Sequence, residues 1–321
     1  MKSAIILKFF PAYIGFICLL VSCEEKKQAF TLAVQETRLL GQISSGSGIV
    51  LYKDSVWIMS DNTNGYYRMD TAGFRHSFYP FSNGDTPHIR NKNIKEDFES
   101  ATLIALNGRP HLVAFGSGSV EGPREQALFF PLDSPRFYKQ ADLAGLYLII
   151  KQQLGISTAQ MNIEASFATT DSFYLLNRGS NHLIAMSLGS LMSQLNNKDF
   201  KAPAINTRAF SLPLLDSFPV AFSGACYFKE DQFLFTATVE KTRNWVADGE
   251  VGASYIGMAK LDGTLVFLLP LKDNKGTLIK QKLESIGIIK EDPDGNIALF
   301  AISDNDNGQS SWFRLRLEVV H

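Results

Sequence analysis

The chain has 321 residues, 45% of them hydrophobic and 20% charged, which excludes a disordered protein and allows one large all-β domain or two ordinary ones. Its 31 basic and 32 acidic residues give a net charge of -1, so no basic excess points to nucleic acid as a partner. Three cysteines, Cys18, Cys23 and Cys226, supply no disulfide framework.

Residues 1–22 read as a targeting segment. Lys2 and Lys8 provide the positive start and IGFICLLVS the apolar stretch. The run is short for a membrane-spanning helix, and Pro11 interrupts it. It ends in Leu20-Val21-Ser22-Cys23, which resembles the cleavage box of bacterial lipoproteins. The resemblance implies cleavage before Cys23 and diacylglyceryl attachment to its sulfur. It also implies a cell-envelope location, at the outer membrane of a Gram-negative cell, on its periplasmic or its exposed side. Loss of Lys2 and Lys8 leaves 29 basic against 32 acidic residues. Residues 23–29 then form a tether and 30–321 a single domain, expected to be monomeric. Cys226, the remaining thiol, fits a small buried apolar residue.

FTLAVQETRLLGQI, from Phe30, alternates as a strand does. Next comes GSGIVLYKDSVWIMSDN, two apolar strands about the turn Lys53-Asp54-Ser55. YYRMD and FRHSFYPF follow it across Thr71-Ala72-Gly73. Ser82–Lys95 has no pattern and reads as a surface connection. The same layout recurs in DFESATLIALNGRPHLVAFGSGS, NIEASFATTDSFYLLNRGS, FSGACYFKEDQFLFTATVEKT and KLESIGIIKEDPDGNIALFAISDND. LAGLYLIIKQQLG fits a short helix as well as a strand, SLMSQLNN reads as a helical turn, and Asp262-Gly263 marks a hairpin.

In each unit a small or acidic oxygen-bearing residue heads the first strand and precedes Gly, Ser or Ala. These heads are Ser47, Glu99, Glu164, Ser223 and Glu284, at separations of 52, 65, 59 and 61 residues. Repeats of that size with four short strands predict an all-β, five-bladed β-propeller. The last unit has room for only three strands. The orphan strand at Phe30 predicts the missing fourth, which closes the ring. Equivalent heads would converge on the central channel. Three carboxylates close together there repel one another, and oxygen-only donors in a roomy site favour Ca²⁺. Alternatively, each head is a polar strand-start residue bonded to a neighbouring backbone amide.

The series Ser, Glu, Glu, Ser, Glu, with GSGIVLYKDSVWIMSDNTNG, DFESATLI, HLVAFGSG, NIEASF, FYLLNRGS, FSGACYF, ASYIGMAKLDG and KLESIGII, resembles the calcium-activated nucleotidases. The resemblance spans the mature chain at about one motif per strand. It implies a five-bladed propeller with a central calcium held through Ser47, Glu99, Glu164, Ser223 and Glu284. It also implies a mouth where nucleoside diphosphates are hydrolysed. The loops after each second strand would build that mouth. They carry Asp61 and Asn62, then Gly116-Ser117-Gly118-Ser119, then Asn177 and Arg178, then Glu240, Lys241 and Arg243, and last Asp304, Asn305 and Asp306. Arg178, Lys241 and Arg243 are candidates to hold phosphates, and Asp61, Glu240 or Asp304 to position water as a base. Asn62 and Asn305 join them as substrate-binding candidates. The glycine-serine loop departs from the family in lacking charge.

Two functions stay open on these residues: a calcium-dependent hydrolase of phosphoanhydrides or phosphoesters, and a non-catalytic module that captures a small ligand or an envelope partner around a structural calcium. A hydrolase needs convergent charges and a water-positioning base near the ion. A propeller acting on sugars or other esters, the phytase-like group included, is a third possibility, because the fold alone does not choose.

Overall fold

The computed structural model describes residues 29–82, 85–196, 201–242, 249–305 and 307–320. The expected leader, Cys23 and most of the tether lie outside them. Among the described residues no helix is long and apolar enough to cross a membrane.

The described residues begin with β1 (Ala29–Leu40) and then build four blades in order. Blade one is β2 (Gly46–Tyr52), β3 (Ser55–Ser60), β4 (Gly65–Asp70) and β5 (His76–Pro80). Blade two is β6 (Phe98–Leu106), β7 (Arg109–Gly116), β8 (Gln126–Pro131) and β9 (Lys139–Asp142), followed by α1 (Ala144–Leu154). Blade three is β10 (Ile163–Ala168), β11 (Ser172–Asn177), β12 (His182–Ser187), then α2 (Leu188–Asn196) and β13 (Asn206–Ala209). A two-stranded hairpin, β14 (Leu214–Leu215) and β15 (Phe218–Pro219), leads to blade four. That blade is β16 (Ala221–Lys229), β17 (Gln232–Glu240), β18 (Val251–Lys260) and β19 (Leu265–Pro270). Blade five takes β20 (Lys282–Glu291), β21 (Ile297–Asp304) and β22 (Ser310–Val320), and β1 returns as its outer strand.

The closure is antiparallel, from Ala29 opposite Val320 to Leu40 opposite Ser310. It pairs the last long strand of the chain with the first, so that β22 is no longer an edge and β1 becomes the outer strand of the blade. Among the described residues the apolar core falls into five clusters, one at each junction between blades. The cluster at the closing junction joins Ile49, Ile58 and Tyr67 of blade one to Phe300, Ile302 and Trp312 of blade five.

Two local readings are refined. The apolar stretch after blade two is the helix α1, whose left-handed C-cap is Gly155 (φ 64°). The outer strand of blade two is the short, polar Lys-Gln-Ala-Asp of β9.

Candidate metal centre

Each of the five head residues sits at the same irregularity. In β2 the pairing with β3 steps from Gly46 to Gly48, leaving Ser47 unpaired. It steps likewise over Glu99 in β6, Glu164 in β10, Ser223 in β16 and Glu284 in β20. All five are β-bulges, which re-aim a side chain out of the regular alternation. The glycines that follow Ser47 and Ser223 are required by the narrow hub. A Cβ on Gly48 would lie 2.6 Å from the backbone nitrogen of Ala101, and one on Gly224 2.6 Å from Cα of Ser285.

The bulges bring one carboxylate oxygen each of Glu99, Glu164 and Glu284 within 4.8 Å of one another. Glu164 and Glu284 are 3% exposed. Asp61, Asp97 and Glu99 form a second group of the same kind beside it. A cavity of about 370 Å³ opens over both. Ser47 lines it, with its hydroxyl donating to the Phe98 carbonyl across the blade junction. Ser223 is turned away from it: fully buried, it donates to Thr236 Oγ1 at 3.1 Å within its own blade.

The mouth residues divide. Asp61, Asn62, Arg178, Glu240 and Asp304 line the cavity, as does Ser119 of the glycine-serine loop. Lys241 is directed outward to Asp216 (3.8 Å) and Glu250 (4.0 Å). Asn305 is bound up with Ser303 and Ser311. Arg243 and Asp306 lie outside the described residues.

The hub glutamates are not the unpaired set that the heads alone suggest. Lys282 Nζ meets Glu284 Oε1 at 2.8 Å and Glu240 Oε1 at 3.2 Å. Arg178 meets Glu240 Oε1 at 3.0 Å and Glu164 Oε1 at 3.8 Å, and Asn162 Nδ2 donates to Glu164 Oε1 at 2.7 Å. On the blade-two side Lys95 Nζ bridges Asp61 (2.6 Å) and Asp97 (2.5 Å), and Arg124 meets Asp97 at 2.7 Å. Seven carboxylates and six basic side chains therefore face one cavity. Charge balance alone does not demand a metal. What remains is Oε2 of Glu164 and Oε2 of Glu284, both buried with no hydrogen-bond partner, and Oδ1 of Asp61 in the same condition. A buried carboxylate oxygen left unmatched is costly. These all-oxygen donors suit a hard divalent cation.

The electrostatics agree. Burial pushes Glu99 well above the usual carboxylate range, and Asp97, Asp61, Glu164 and Glu284 push it further. Burial likewise raises Glu284 and Glu164 against the pull of Lys282 and Arg178. Asp61 is raised to about 6, chiefly by burial, with Lys95 opposing. Burial pulls Lys282 down, but Glu284, Glu240 and Glu164 outweigh it and hold the ammonium charged.

Lys95, Asp97, Arg124 and Lys282 were missed by reading heads alone. Part of the signal was present. The residue two positions before the head is polar or charged in four of the five units. Those residues are Ser45, Asp97, Asn162, Ala221 and Lys282, and all but Ala221 line the cavity.

The sequence model of one protein family matches residues 42–317. The chain belongs to DUF6929, a family of unknown function. No curated protein matches this DUF6929 chain. Among solved structures it is similar to the glutaminyl cyclase of Myxococcus xanthus, with 11% identity and a TM-score of 0.45 over 90% of this chain and 97% of that one. It is also similar to a luciferin-regenerating enzyme, with 9% identity and a TM-score of 0.43 over 87% and 95%. A third is the PQQ-bound aldose sugar dehydrogenase of Streptomyces coelicolor, with 9% identity and a TM-score of 0.41 over 90% and 99%. Likeness at this level says nothing of the activity of the DUF6929 chain.

Proposed function

We propose that the hub binds one Ca²⁺ through Glu99, Glu164 and Glu284, and that the cavity above it hydrolyses a small phosphoanhydride or phosphoester. The observation that carries this reading is the pair of buried, partnerless oxygens on Glu164 and Glu284 beside Glu99. A bound divalent ion would neutralise these acids and polarise a phosphoryl oxygen. The remaining work falls to the chain's own residues. Lys95 holds one oxygen of Asp61 and leaves Oδ1 to accept a proton from water. A base with a pKa of about 6 is poised for neutral pH. Arg90 and Lys92, the less buried basic groups lining the cavity, are the groups to hold a phosphoryl anion, whereas Arg124 is buried against Asp97. Arg178 and Lys282, buried in ion pairs, orient Glu164, Glu240 and Glu284 and do not reach for substrate. The motif resemblance to the calcium-activated nucleotidases supports the same chemistry. The cleavage-box resemblance supports lipid attachment at Cys23 and an envelope location.

A non-catalytic reading is favoured by one observation: Arg90, Lys95, Arg124, Arg178 and Lys282 each already hold a carboxylate. Calcium calorimetry followed by a phosphate-release panel over nucleotides, pyrophosphate and sugar phosphates tests both. Calcium binding without turnover leaves the binding module. Absence of calcium binding removes the proposal.

A further inference from the structure

The glycine-serine loop after β7 reaches the cavity through Ser119, a residue with no part in the hydrolytic scheme above. The loop is firmly held. Ser117 N donates to the Asp97 carbonyl at 2.9 Å, Gly118 N to the Arg124 carbonyl at 2.9 Å, and the Tyr147 hydroxyl to the Gly116 carbonyl at 2.6 Å. Gly118 turns the chain at φ 72°, and a Cβ there would lie 2.6 Å from the Tyr147 ring.

The two hydroxyls of this loop form a directed chain. Ser117 Oγ donates its one proton to Asp97 Oδ2 at 2.5 Å. Ser119 Oγ lies 2.8 Å from Ser117 Oγ, so Ser119 is the donor in that contact. Arg124 Nη1 donates to Ser119 Oγ at 2.8 Å and to Asp97 Oδ2 at 2.7 Å. Of the two serines only Ser119 lines the cavity, and Ser117 is wholly buried. With its proton directed inward, Ser119 presents a lone pair to the cavity. A hydroxyl whose proton is linked to a carboxylate, with a guanidinium beside its oxygen, has the arrangement of an activated nucleophile.

We propose that Ser119 is a nucleophile that takes the phosphoryl group from the substrate, with Ser117 as its positioning residue. The substrate class rests on the hydrolytic reading of the same cavity. Ser119 Oγ forms a bond to phosphorus, and the bond to the leaving group breaks, its electron pair departing with that group. The Ser119 proton moves to Ser117 as the Ser117 proton moves to Asp97. Negative charge thereby shifts between two oxygens that share Arg124 Nη1, so the same cation serves both ends of the transfer. Water then attacks the seryl phosphate and gives its proton to Asp61. The phosphorus–Ser119 bond breaks, and the chain returns its proton to Ser119.

The test treats the full chain with an alkyne-tagged fluorophosphonate, in which fluoride is the leaving group, and maps the adduct by mass spectrometry. The expected result is an adduct at Ser119 in the native protein and none there after denaturation. Ser117→Ala should slow that labelling by at least about 10²-fold. The wild-type adduct decides the matter even if this variant does not fold. A native chain unlabelled at Ser119 overturns the nucleophile. Labelling of a folded Ser117→Ala at the wild-type rate overturns the proton chain. The phosphate-release panel is run in parallel on Ser119→Ala. Turnover retained in Ser119→Ala overturns the nucleophile and leaves direct attack by water. A labelled Ser119 in a chain that releases no phosphate overturns the phosphoryl substrate and upholds the nucleophile.

Discussion

Lys282 and Glu284 stand two residues apart on one innermost strand, and the ammonium of the first lies 2.8 Å from the carboxylate of the second. The bulge at Glu284 keeps both side chains directed at the hub. Lys282 also reaches Glu240, so a single cation serves two buried acids. Removing one partner of a buried pair strands the other charge. Lys282→Met is expected to destabilise the calcium-free protein by about 3–5 kcal/mol. Calcium should then raise the melting temperature of the variant more than that of wild type, because the hub has lost its internal cation. Chemical denaturation with and without calcium checks this, and an equal calcium shift in both proteins counts against it.

Glu164→Gln leaves the shape of the hub and the hydrogen bond from Asn162 intact but removes a charged donor. Wild type should gain about 2.7 kcal/mol when calcium stands at a hundred times its dissociation constant. The variant should lose most of that gain. Calorimetry and calcium-dependent melting both measure it.

The pH dependence follows from the direction of the shifts. Burial raises Glu99, Glu164, Glu284 and Asp61 above their unfolded values, Asp61 to about 6. The folded, metal-free protein therefore holds protons more tightly than the unfolded chain does. Its stability from these groups is fully present below their unfolded values and is lost as pH rises through the folded ones. For Asp61 the loss falls between about 4 and 6. Calcium requires the ionised acids, so its affinity should rise over the same interval and beyond, with protons released on binding. Calorimetry in buffers of different ionisation enthalpy detects the release. A binding enthalpy that is the same in every buffer would rule it out.

Much of the wheel was legible because its cause is local. Head residue, small residue, apolar strand, turn and second strand recur five times, and the bulges explain why Ser47, Glu99 and Glu164 stand where alternation alone would not put them. The strand at Phe30 was legible as the closing one because the last unit lacked a partner. The electrostatic half of the site was not. Lys95 and Arg124 come from a connection and a turn with no repeat, and only the folded chain brings them to Asp97. Ser223 shows the converse limit. Its position matches the series, yet the hydroxyl turns to Thr236, because a neighbouring threonine satisfies it within the blade.

The hub offers a paired test of packing. Gly48→Val would press against the backbone of Ser100 and Ala101, which cannot yield without moving blade two. It should cost at least about 1–3 kcal/mol and weaken calcium binding by displacing Glu99. Ser100→Ala works the other way. The Ser100 hydroxyl is buried with no partner. Its removal should be neutral or stabilise by up to about 1 kcal/mol. Denaturant midpoints of the two variants check the contrast, and a strongly destabilised Ser100→Ala would mean that the hydroxyl has a partner in solution.

Asp61→Asn separates catalysis from cation binding. Asn keeps an oxygen for Lys95 but has no carboxylate to accept a proton, and Asp61 is not one of the three glutamates assigned to the ion. If Asp61 is the base, phosphate release should fall by about 10²–10⁴. The calcium-induced rise in melting temperature should stay close to that of wild type, whereas Glu164→Gln loses both. Retained turnover in Asp61→Asn would move the base to Asp304, the other cavity carboxylate at the end of a second strand that is not assigned to Lys282 or Arg178. Parallel loss of turnover and calcium response would instead make Asp61 a ligand, and the group of Asp61, Asp97 and Glu99 the place where the ion sits.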